Sequence, residues 1–600
     1  MSFFQKKSTK IISAVILAVV MVTTMLTVTA DQPFITFGYD WWLDTYPNQS
    51  GYVVDRVIDA AGIRVRDGAN PVSHFRTPQD LFIYENPTPG GVYVLLHEDS
   101  PINTGASATT GDTIRSTVRG EAVTLTRVEG VLVFIVDSGN NRIIVVNEEF
   151  ELIRIIDELF YRTDYRVENF IGEVDEYGIP TEQGEARFRN EVERVFELDQ
   201  DGRYVRGRTT TMDSPRGIYV TNFHGETRVY IADFSGGHVH GNGRVIAADL
   251  NSGIWMEYHQ PESDTFVTEE GTPATFNPEK VLIDNVGNVY IIVPTISRGA
   301  VTFDENGVFR GYFGANRVAQ TAEAILNYFL RLILPREVMD RRVTPPPVVF
   351  SNFAIDEDQF IYTVTTTRAT GVDVVSKLNP AGDNVFADRN MTWGAFHNPI
   401  VQGRELYSQM VAIAVDEKGD IFILCQRTGQ IFQYDKEGHL LFIFGGSGNQ
   451  QGTFNTPVAI DTHQNSVFVL DENKATVTVF ALTEFGSLVA TAMELFERGD
   501  YAASRAPWEE VMRRDANFYM ASIGMGNAML SLEYFEEALE YFYRHSLGGY
   551  SRAFREFRTN YIRDNFNTFL FIALTGVAIL IGANIGLKVY RKRKKALSGA

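Results

Sequence analysis

The sequence predicts a mainly β fold built from repeated four-stranded units, followed by a small α-helical module and one C-terminal transmembrane helix. A sequence repeat of two β-rich segments, joined by a turn that follows an Asp, occurs about six times between Pro78 and Phe485. Helical periodicity replaces this strand pattern after Phe485. An apolar run at residues 566–587 is long enough to cross a membrane.

The composition is that of a folded protein that does not bind nucleic acid. The chain has 600 residues, of which 44% are hydrophobic and 22% charged, and this length allows several domains or one large repeat array. The formal net charge of −21 opposes nucleic-acid binding, which needs a clustered basic surface. The single cysteine, Cys425, excludes an intramolecular disulfide and a cysteine-cluster metal site.

Residues 1–30 have the pattern of a secretory signal peptide. Three lysines precede an apolar run over residues 11–22, and small residues at 28–30 suit a cleavage site. The alternative is an uncleaved anchor, because the apolar stretch approaches the ~20 residues that span a bilayer. Export of the chain is the expected consequence.

The C-terminal end predicts a single membrane crossing. Residues 566–587 are almost wholly apolar, and the tail 588–600 that follows is basic. A buried core helix, the alternative, would rarely end in five consecutive basic residues. The positive-inside rule places the tail in the cytoplasm and the bulk of the chain outside the cell membrane. The first thirty residues carry +3 and the tail +6, which leaves −30 for residues 31–587.

Each copy of the repeat has the pattern of a four-stranded sheet. Residues 410–424 show the first two strands, with Asp416 and Gly419 at the turn between them. Residues 429–445 continue as an outer hairpin around a tight Asp/Gly turn. One such sheet leaves its faces and edges uncovered, whereas sheets packed radially cover the faces. About six copies therefore predict a six-bladed β-propeller over residues 75–485.

The turn Asp137-Ser-Gly-Asn-Asn-Arg142 resembles the signature of the NHL-repeat family, which places Asp-Ser-Gly-Asn-x-Arg-Ile between the second and third strands of a blade. Asp137, Asn140 and Arg142 match this signature, and Asp233 and Asp471 keep the acidic residue in looser copies. The resemblance implies a six-bladed propeller. Longer stretches look like a bacterial membrane-anchored NHL family, and that likeness implies that the protein accompanies a sugar-uptake system.

Three segments depart from the regular repeat. Residues 31–74 form a lead-in segment, and residues 98–126 have the composition of a Ser/Thr/Gly-rich loop. Residues 319–342 contain a helical insertion with an apolar stripe that ends at Pro335. We expect this helix to pack on its own blades, and capping the channel or receiving a partner is the alternative.

The module at residues 486–560 has a helical repeat. Four helices are predicted at 484–498, 502–514, 520–531 and 535–545. Trp508 lies 34 residues before Phe542, and Ala492 lies 34 residues before Gly526. This is the tetratricopeptide period, and in that family small residues let two helices cross closely beside an aromatic side chain. Two repeats are fewer than the three or so that stand alone, so we expect them to lean on the propeller or on a partner.

The acids that the pattern places are strand-end aspartates. Asp284, Asp356, Asp416 and Asp461 follow strands at the same phase of four copies, and this common phase predicts that they cap turns. Trp41 and Trp42 precede the first copy and could stack on sugar rings, although closing the lead-in against the propeller is the simpler interpretation.

One histidine pair is a candidate for metal binding. The rings of His238 and His240 would point the same way on a strand and could reach one metal ion. No third ligand can be assigned, so solvated histidines in a Gly-rich turn are the favoured interpretation. No nucleophile elbow, phosphate loop or dinucleotide fingerprint is present in the sequence. The sequence identifies no catalytic or cofactor-binding residue, and it does not indicate a particular cofactor.

Two hypotheses for function follow. The first is a membrane-anchored extracytoplasmic scaffold that uses the NHL propeller and the tetratricopeptide-like helices to bind a protein or a carbohydrate, with membrane transport components as further candidate partners. The second is a metal-dependent propeller enzyme, of the lactonase or lyase type, that acts in the central channel. Cytoplasmic signalling is disfavoured because the tail after Lys595 is only five residues long.

Overall fold

The structure is a computed structural model that describes most of the chain between residues 34 and 597. The residues outside the description are 1–33, 35, 40–43, 67–69, 87–90, 103–112, 120, 167–188, 191, 199, 201–203, 237–241, 264, 269–271, 273, 315–348, 367–373, 388–392, 396–399, 402–403, 406–407, 544–546 and 598–600. The predicted signal peptide and the predicted helical insertion lie outside the described residues.

The described chain is mainly β. The strands up to residue 161 are β1 Phe37–Tyr39, β2 Thr45–Pro47, β3 Tyr52–Asp59, β4 Pro78–Glu85, β5 Val92–Val94, β6 Thr113–Val118, β7 Glu121–Val128, β8 Val131–Asp137, β9 Arg142–Asn147, β10 Leu152–Ile156 and β11 Glu158–Tyr161. The next strands are β12 Phe196–Leu198, β13 Tyr204–Gly207, β14 Thr209–Thr211, β15 Pro215–Phe223, β16 Glu226–Asp233, β17 Arg244–Asp249, β18 Gly253–Tyr258, β19 Lys280–Ile283, β20 Val289–Ile292, β21 Ala300–Phe303 and β22 Phe309–Phe313. The last are β23 Phe350–Ile355, β24 Ile361–Thr365, β25 Val375–Leu378, β26 Ile400–Val401, β27 Arg404–Glu405, β28 Met410–Val415, β29 Ile421–Cys425, β30 Gln430–Tyr434, β31 Leu440–Gly445, β32 Pro457–His463, β33 Ser466–Asp471 and β34 Thr476–Leu482.

Six antiparallel sheets organise the β unit, which comprises Tyr52–Leu482 and the residues before Phe37. They are sheet 1 (β4-β8-β9-β10), sheet 2 (β15-β16-β17-β18, extended by β11 and β14), sheet 3 (β19-β20-β21-β22), sheet 4 (β23-β24-β25), sheet 5 (β28-β29-β30-β31) and sheet 6 (β32-β33-β34-β3). Within sheet 2, β11 pairs with β18 in parallel. Sheet 6 takes its fourth strand, β3, from the lead-in segment, so the two ends of the β unit pair with each other.

The strand that begins each sheet stands at its edge, and these six strands contact one another in sequence order. We call β4, β15, β19, β23, β28 and β32 the first strands. Each first strand packs against the first strand of the next sheet, and β32 packs against β4. Their outer neighbours, such as β8 and β29, are fully buried, and they are apolar apart from Asp137 at the end of β8, as expected for strands covered on both faces.

The hydrophobic core lies between consecutive sheets. One cluster of buried side chains joins sheets 1 and 2, a second joins sheets 6 and 1, a third joins sheets 2 and 3, and a fourth joins sheets 3 and 4. Burial of these apolar faces is the main stabilising contribution, because a single sheet of this size would expose both of its faces to water.

The prediction of a loop at residues 98–126 is wrong for its second half. Strands β6 and β7 form a hairpin there, and β5 pairs with β7 to complete a three-stranded sheet. The segment alternates β-branched and polar residues from Thr113 to Val128, a pattern that favours a half-exposed strand although its Ser and Thr content is typical of a loop.

The helical unit comprises Phe37–Gly51 and the residues from Thr483 onwards. Its helices are α1 Glu484–Glu497, α2 Tyr501–Arg514, α3 Tyr519–Ser531, α4 Phe535–Phe542, α5 Leu547–Asp564 and α6 Phe566–Leu597. The first four confirm the predicted helices to within a few residues. Thr483 and Asp500 cap α1 and α2 by accepting N–H groups of the first turn, at 3.0 and 3.1 Å.

Close helix packing in this unit depends on two glycines of α3. A methyl group at Gly524 would collide with the Trp508 ring, and one at Gly526 would meet the Phe542 ring at 2.6 Å. Both aromatic side chains are fully buried. Each of these two rings therefore needs a glycine of α3 beside it.

The C-terminal helix α6 is the membrane-spanning candidate. Its segment Phe566–Lys594 has a mean hydropathy of 2.2 over its most apolar window and buries none of that window within the protein. A helix of this length and composition can cross a bilayer, whose hydrocarbon core takes ~20 apolar residues.

Candidate functional site

A cavity of about 260 Å³ lies where the first strands of the six sheets converge, and all six contribute residues to its wall. Each first strand is hydrogen-bonded to a neighbouring strand on one side only, because it ends its sheet. Backbone N–H groups on its open edge therefore need acceptors that a sheet partner would otherwise supply. Polar side chains in this cavity can accept hydrogen bonds from these backbone N–H groups, bind a ligand, or do both.

An ion pair in the cavity joins three sheets. The Nζ atom of Lys280 lies 2.5 Å from Oδ1 of Asp80, and Oδ2 of Asp80 accepts the N–H of Ile218 at 3.0 Å. Burial raises the pKa of Asp80, and the adjacent ammonium group opposes that rise. Since these residues belong to β4, β19 and β15, the pair ties the first strands of sheets 1, 3 and 2 together.

Asp461 makes the corresponding link between sheets 6 and 1. Its Oδ2 accepts the N–H of Ile83 at 2.6 Å, and its Oδ1 accepts the N–H of Thr462 at 2.9 Å. Burial raises the pKa of Asp461 to about 7; the two N–H donors lower it, and the nearby Asp80 adds to the rise. This carboxyl group therefore keeps its proton to a higher pH than an ordinary aspartate does.

The prediction that Asp461 caps a turn is wrong. Asp461 lies inside β32, which continues for two more residues to His463, and its carboxylate faces the cavity. The hairpin after β32 turns through two residues between His463 and Ser466. The apparent common phase with the other aspartates was therefore two residues out of register.

The same prediction is confirmed for the other three aspartates. Asp284, Asp356 and Asp416 each accept the N–H of the residue four positions further on, at 2.8 Å. These bonds close the turns between the first and second strands of sheets 3, 4 and 5. Burial raises the pKa of Asp416 to about 6.

Two aromatic side chains give the cavity an apolar surface. Phe82 of β4 and Tyr219 of β15 have ring centroids 5.0 Å apart, and both rings are half-buried and line the cavity. Asn352 of β23 adds an amide to the same wall. The cavity thus combines flat apolar faces with a carboxylate, an ammonium group and an amide, a mixture typical of small-molecule sites.

The aspartates of the NHL-like signature lie elsewhere, at the ends of second strands. Asp137, Asp233 and Asp471 are fully buried, and each accepts a backbone N–H two residues ahead of the first strand of its own sheet, at 2.6, 2.8 and 2.6 Å. Asn140 and Arg142 both donate to Oδ2 of Asp137 at 2.8 Å. These residues fix the segment that enters each sheet, and the structure places none of them in the cavity wall.

A buried charge network in sheet 2 was not anticipated from the sequence. Glu257 is 4% exposed and accepts from Arg244 at 2.7 Å, from Arg194 at 3.1 Å and from the hydroxyl of Tyr161 at 3.2 Å. Arg244 also pairs with Asp233, whose pKa burial raises to about 6 against the effect of the guanidinium. These buried charges are paired with one another, so removing one partner would leave an uncompensated charge inside the sheet.

The metal candidates of the sequence cannot be placed, because His238 and His240 lie outside the described residues. Among the residues that are described, one group can hold a metal ion: Glu85, Glu417 and His463 each bring a ligand atom within 4.8 Å of the others. All three also line the cavity. They are separated by hundreds of residues in sequence, so no spacing motif could have revealed them.

Comparisons with known proteins give structural similarity only. No protein-family model matches the chain, and no curated protein matches it. Solved structures with similar folds include virginiamycin B lyase from Staphylococcus aureus (11% identity, TM-score 0.30, covering 67% of this chain and 99% of that one) and the major Malassezia sympodialis allergen Mala s 1 (10%, 0.31, 58% and 89%). The extracellular domain of BT4673 from B. thetaiotaomicron is another (10%, 0.28, 74% and 39%).

The class of fold rests on this chain's own sheets. Antiparallel sheets that follow one another in sequence, with their first strands in contact around a shared cavity, define a β-propeller-like protein. A C-terminal set of helices and one apolar helix that can span a membrane complete it.

Proposed function

We propose that this chain is a six-bladed propeller of the NHL type that is anchored in the cell membrane and binds an extracytoplasmic ligand in the cavity at its first strands. Six sheets follow one another in sequence, and the lead-in strand β3 completes the last of them. Pairing of β3 with β34 ties the N-terminal end of the β unit to its C-terminal end, which favours a closed ring over an open array.

The ligand-binding role rests on the cavity. Its carboxylates already serve as acceptors for backbone N–H groups of neighbouring first strands, so they are held rigidly in place. Rigid hydrogen-bonding groups beside the exposed faces of Phe82 and Tyr219 suit recognition of a small polyhydroxylated molecule, because such a ligand combines hydroxyl groups with an apolar ring face. Carbohydrate is therefore the proposed ligand class of the cavity, and the helical unit is proposed as the site for a protein partner.

The membrane anchor supports placing this role outside the cell. Residues 31–587 carry a charge of −30, whereas the tail beyond them is basic, as the positive-inside rule requires for a cytoplasmic end. A ligand-binding module on a chain that is anchored in the membrane is suited to accompany a sugar-uptake system, as the family resemblance implies.

Saccharide binding is the direct test. The full-length protein in detergent would be titrated with a panel of neutral mono- and oligosaccharides, with intrinsic fluorescence or calorimetry as the readout. We expect at least one saccharide to bind and the Phe82→Ala variant to lose tenfold or more in affinity. Phe309→Ala, which truncates a half-buried ring on the outermost strand of sheet 3, is the matched control and should bind as wild type. Failure of every saccharide to bind, or equal losses in both variants, would refute the proposal.

Topology can be tested separately through the single cysteine. With Cys425 replaced by Ala, a cysteine introduced at Val286, which is 71% exposed in a turn of sheet 3, should react with a membrane-impermeant maleimide in intact cells. A cysteine introduced at Ser598 in the tail should react only after permeabilisation. The reverse pattern would place the β unit in the cytoplasm and refute the proposed orientation.

A further inference from the structure

Three neighbouring sheets bring an imidazole and two carboxylates to the mouth of the cavity. His463 ends β32 of sheet 6, Glu85 ends β4 of sheet 1, and Glu417 lies in the turn after β28 of sheet 5. These first strands are adjacent, since β32 packs against both β28 and β4. The ligand atoms of the three side chains lie within 4.8 Å of one another.

His463 points to a ligand that the described residues do not supply. Its side chain is only 7% exposed, yet it lines the cavity, and its Nδ1 lies 3.8 Å from Oε2 of Glu85, beyond hydrogen-bond distance. A ring nitrogen of His463 lies within 4.8 Å of a carboxylate oxygen of Glu85 and of one of Glu417, so it is directed toward the space between the two glutamates.

The carboxylates of Glu85 and Glu417 are not neutralised by a Lys or Arg side chain of the described residues. Glu85 is 59% exposed on its side chain, and Glu417 is exposed as well. Within the described part of the chain, no Lys or Arg side chain forms an ion pair with either carboxylate, and His463 is the basic neighbour that Glu85 has. A cation bound between the two would relieve their mutual repulsion.

We propose that Glu85, Glu417 and His463 form a binding site for one zinc ion at the mouth of the cavity. One nitrogen and two carboxylate oxygens suit Zn²⁺, whereas Ca²⁺ and Mg²⁺ prefer oxygen ligands alone. Ligand atoms ~2.1 Å from a tetrahedral ion lie roughly 3.4 Å apart, so the set must contract by about 1 Å. The two exposed glutamate side chains can rotate to provide that contraction while the buried His463 stays fixed.

The site leaves a coordination position unfilled by protein. Three protein ligands are one fewer than a closed structural zinc site uses, and the remaining position faces the cavity that the three residues line. A zinc ion there would present an open position to an oxygen donor entering the cavity. The site does not depend on the proposed sugar-binding role, since it is formed by the protein side chains alone.

Metal binding by the full-length protein in detergent tests the proposal. After chelator treatment and buffer exchange, the protein would be titrated with ZnCl₂ by calorimetry, and bound zinc would be counted by elemental analysis. We expect one equivalent of zinc. Because replacing the buried His463 can disturb the fold, the primary variant is Glu85→Gln with Glu417→Gln, which changes two exposed side chains; it should weaken zinc binding at least 30-fold. His463→Gln should do the same.

Matched histidine variants make the result specific. His439 is 47% exposed in the outer hairpin turn of sheet 5 and bonds to Asp435, so His439→Ala should keep wild-type zinc affinity. The pair His238→Ala with His240→Ala should keep it too. The proposal is overturned if the wild-type protein takes up no zinc, if the double glutamine variant binds as wild type, or if zinc is lost only when His238 and His240 are replaced. Cobalt substitution adds a spectroscopic readout, because d–d bands of tetrahedral Co²⁺ should appear in the wild type and disappear in the glutamine variant.

Discussion

Replacing Asp461 by Asn should reverse its effect on stability between acidic and alkaline pH. The pKa of Asp461 is about 7 in the folded protein, against an ordinary value of 3.8. The folded state therefore binds this proton more tightly than the unfolded state, and the stability of the wild-type protein falls as pH rises from about 4 to about 7. Above pH 7 the folded protein carries the full cost of a desolvated carboxylate.

The size of the effect follows from the contacts. The difference between the folded and ordinary pKa corresponds to roughly 4 kcal/mol, and partial solvation of the side chain reduces this to ~2 kcal/mol. Asn removes that penalty but has one oxygen, so it loses one of the two bonds from Ile83 and Thr462, worth ~1 kcal/mol. Little of that penalty has developed at pH 4, so Asp461→Asn should be more stable than wild type by ~1 kcal/mol at pH 8.5 and less stable by ~0.7 kcal/mol at pH 4.

Thermal unfolding of the full-length protein in detergent, followed by intrinsic fluorescence, measures this. An unfolding entropy of ~2.1 cal/mol/K per residue gives a shift of about 1 °C per kcal/mol for a unit the size of Tyr52–Leu482. The Tm difference between variant and wild type should change sign between pH 4 and pH 8.5. A difference of constant sign and size across this range would show that Asp461 is ionised in the folded protein throughout, and the reasoning from its burial would fail.

Two further predictions concern one buried pair and one close helix contact. Lys280→Met should lower the stability of the β unit by ~3–5 kcal/mol, because Asp80 would keep a buried charge without its cation. Adding Asp80→Asn to this variant should restore at least half of the lost Tm. No recovery in the double variant would contradict the pairing. Gly524→Ala should destabilise the helical unit by ~1–3 kcal/mol, because the added methyl group collides with Trp508. Gly548→Ala is the control and should have little effect, since a methyl group there meets open space. Amide hydrogen exchange of each helix measures both effects, and equal exchange in the two variants would contradict the packing.

Local pattern was sufficient to predict the elements whose signal is contained in a short stretch of sequence. Helices α1 to α4 and the apolar helix α6 lie where periodicity and hydropathy placed them, because each has a long uniform pattern and clear ends. The hairpin of β6 and β7 was missed because its Ser and Thr content resembles that of a loop, while its alternation is short. Composition and alternation gave opposite answers there, and alternation determined the structure.

The candidate site could not be predicted in this way, because it depends on contacts between distant parts of the chain. Asp80 meets Lys280 across 200 residues, and Asp461 meets Ile83 across 378. Such pairs form only when the first strands pack around the cavity in one register. The sequence supplied the strands and their order, whereas the register needed the bulges and turn lengths that the structure shows.

The turn after β32 explains how sheet 6 contributes Asp461 and His463 to the cavity. Counted from the bulge near the start of each strand, His463 occupies the position that Asp416 has in β28. Asp416 accepts two backbone N–H groups of its own turn. Asp284 and Asp356 cap the equivalent turns of sheets 3 and 4. The two-residue turn through Gln464 needs no such cap, because Gln464 itself takes the left-handed conformation, with φ 50°, that tight hairpins require. A shorter turn therefore frees this position for an imidazole and lets Asp461 lie inside the strand and face the cavity.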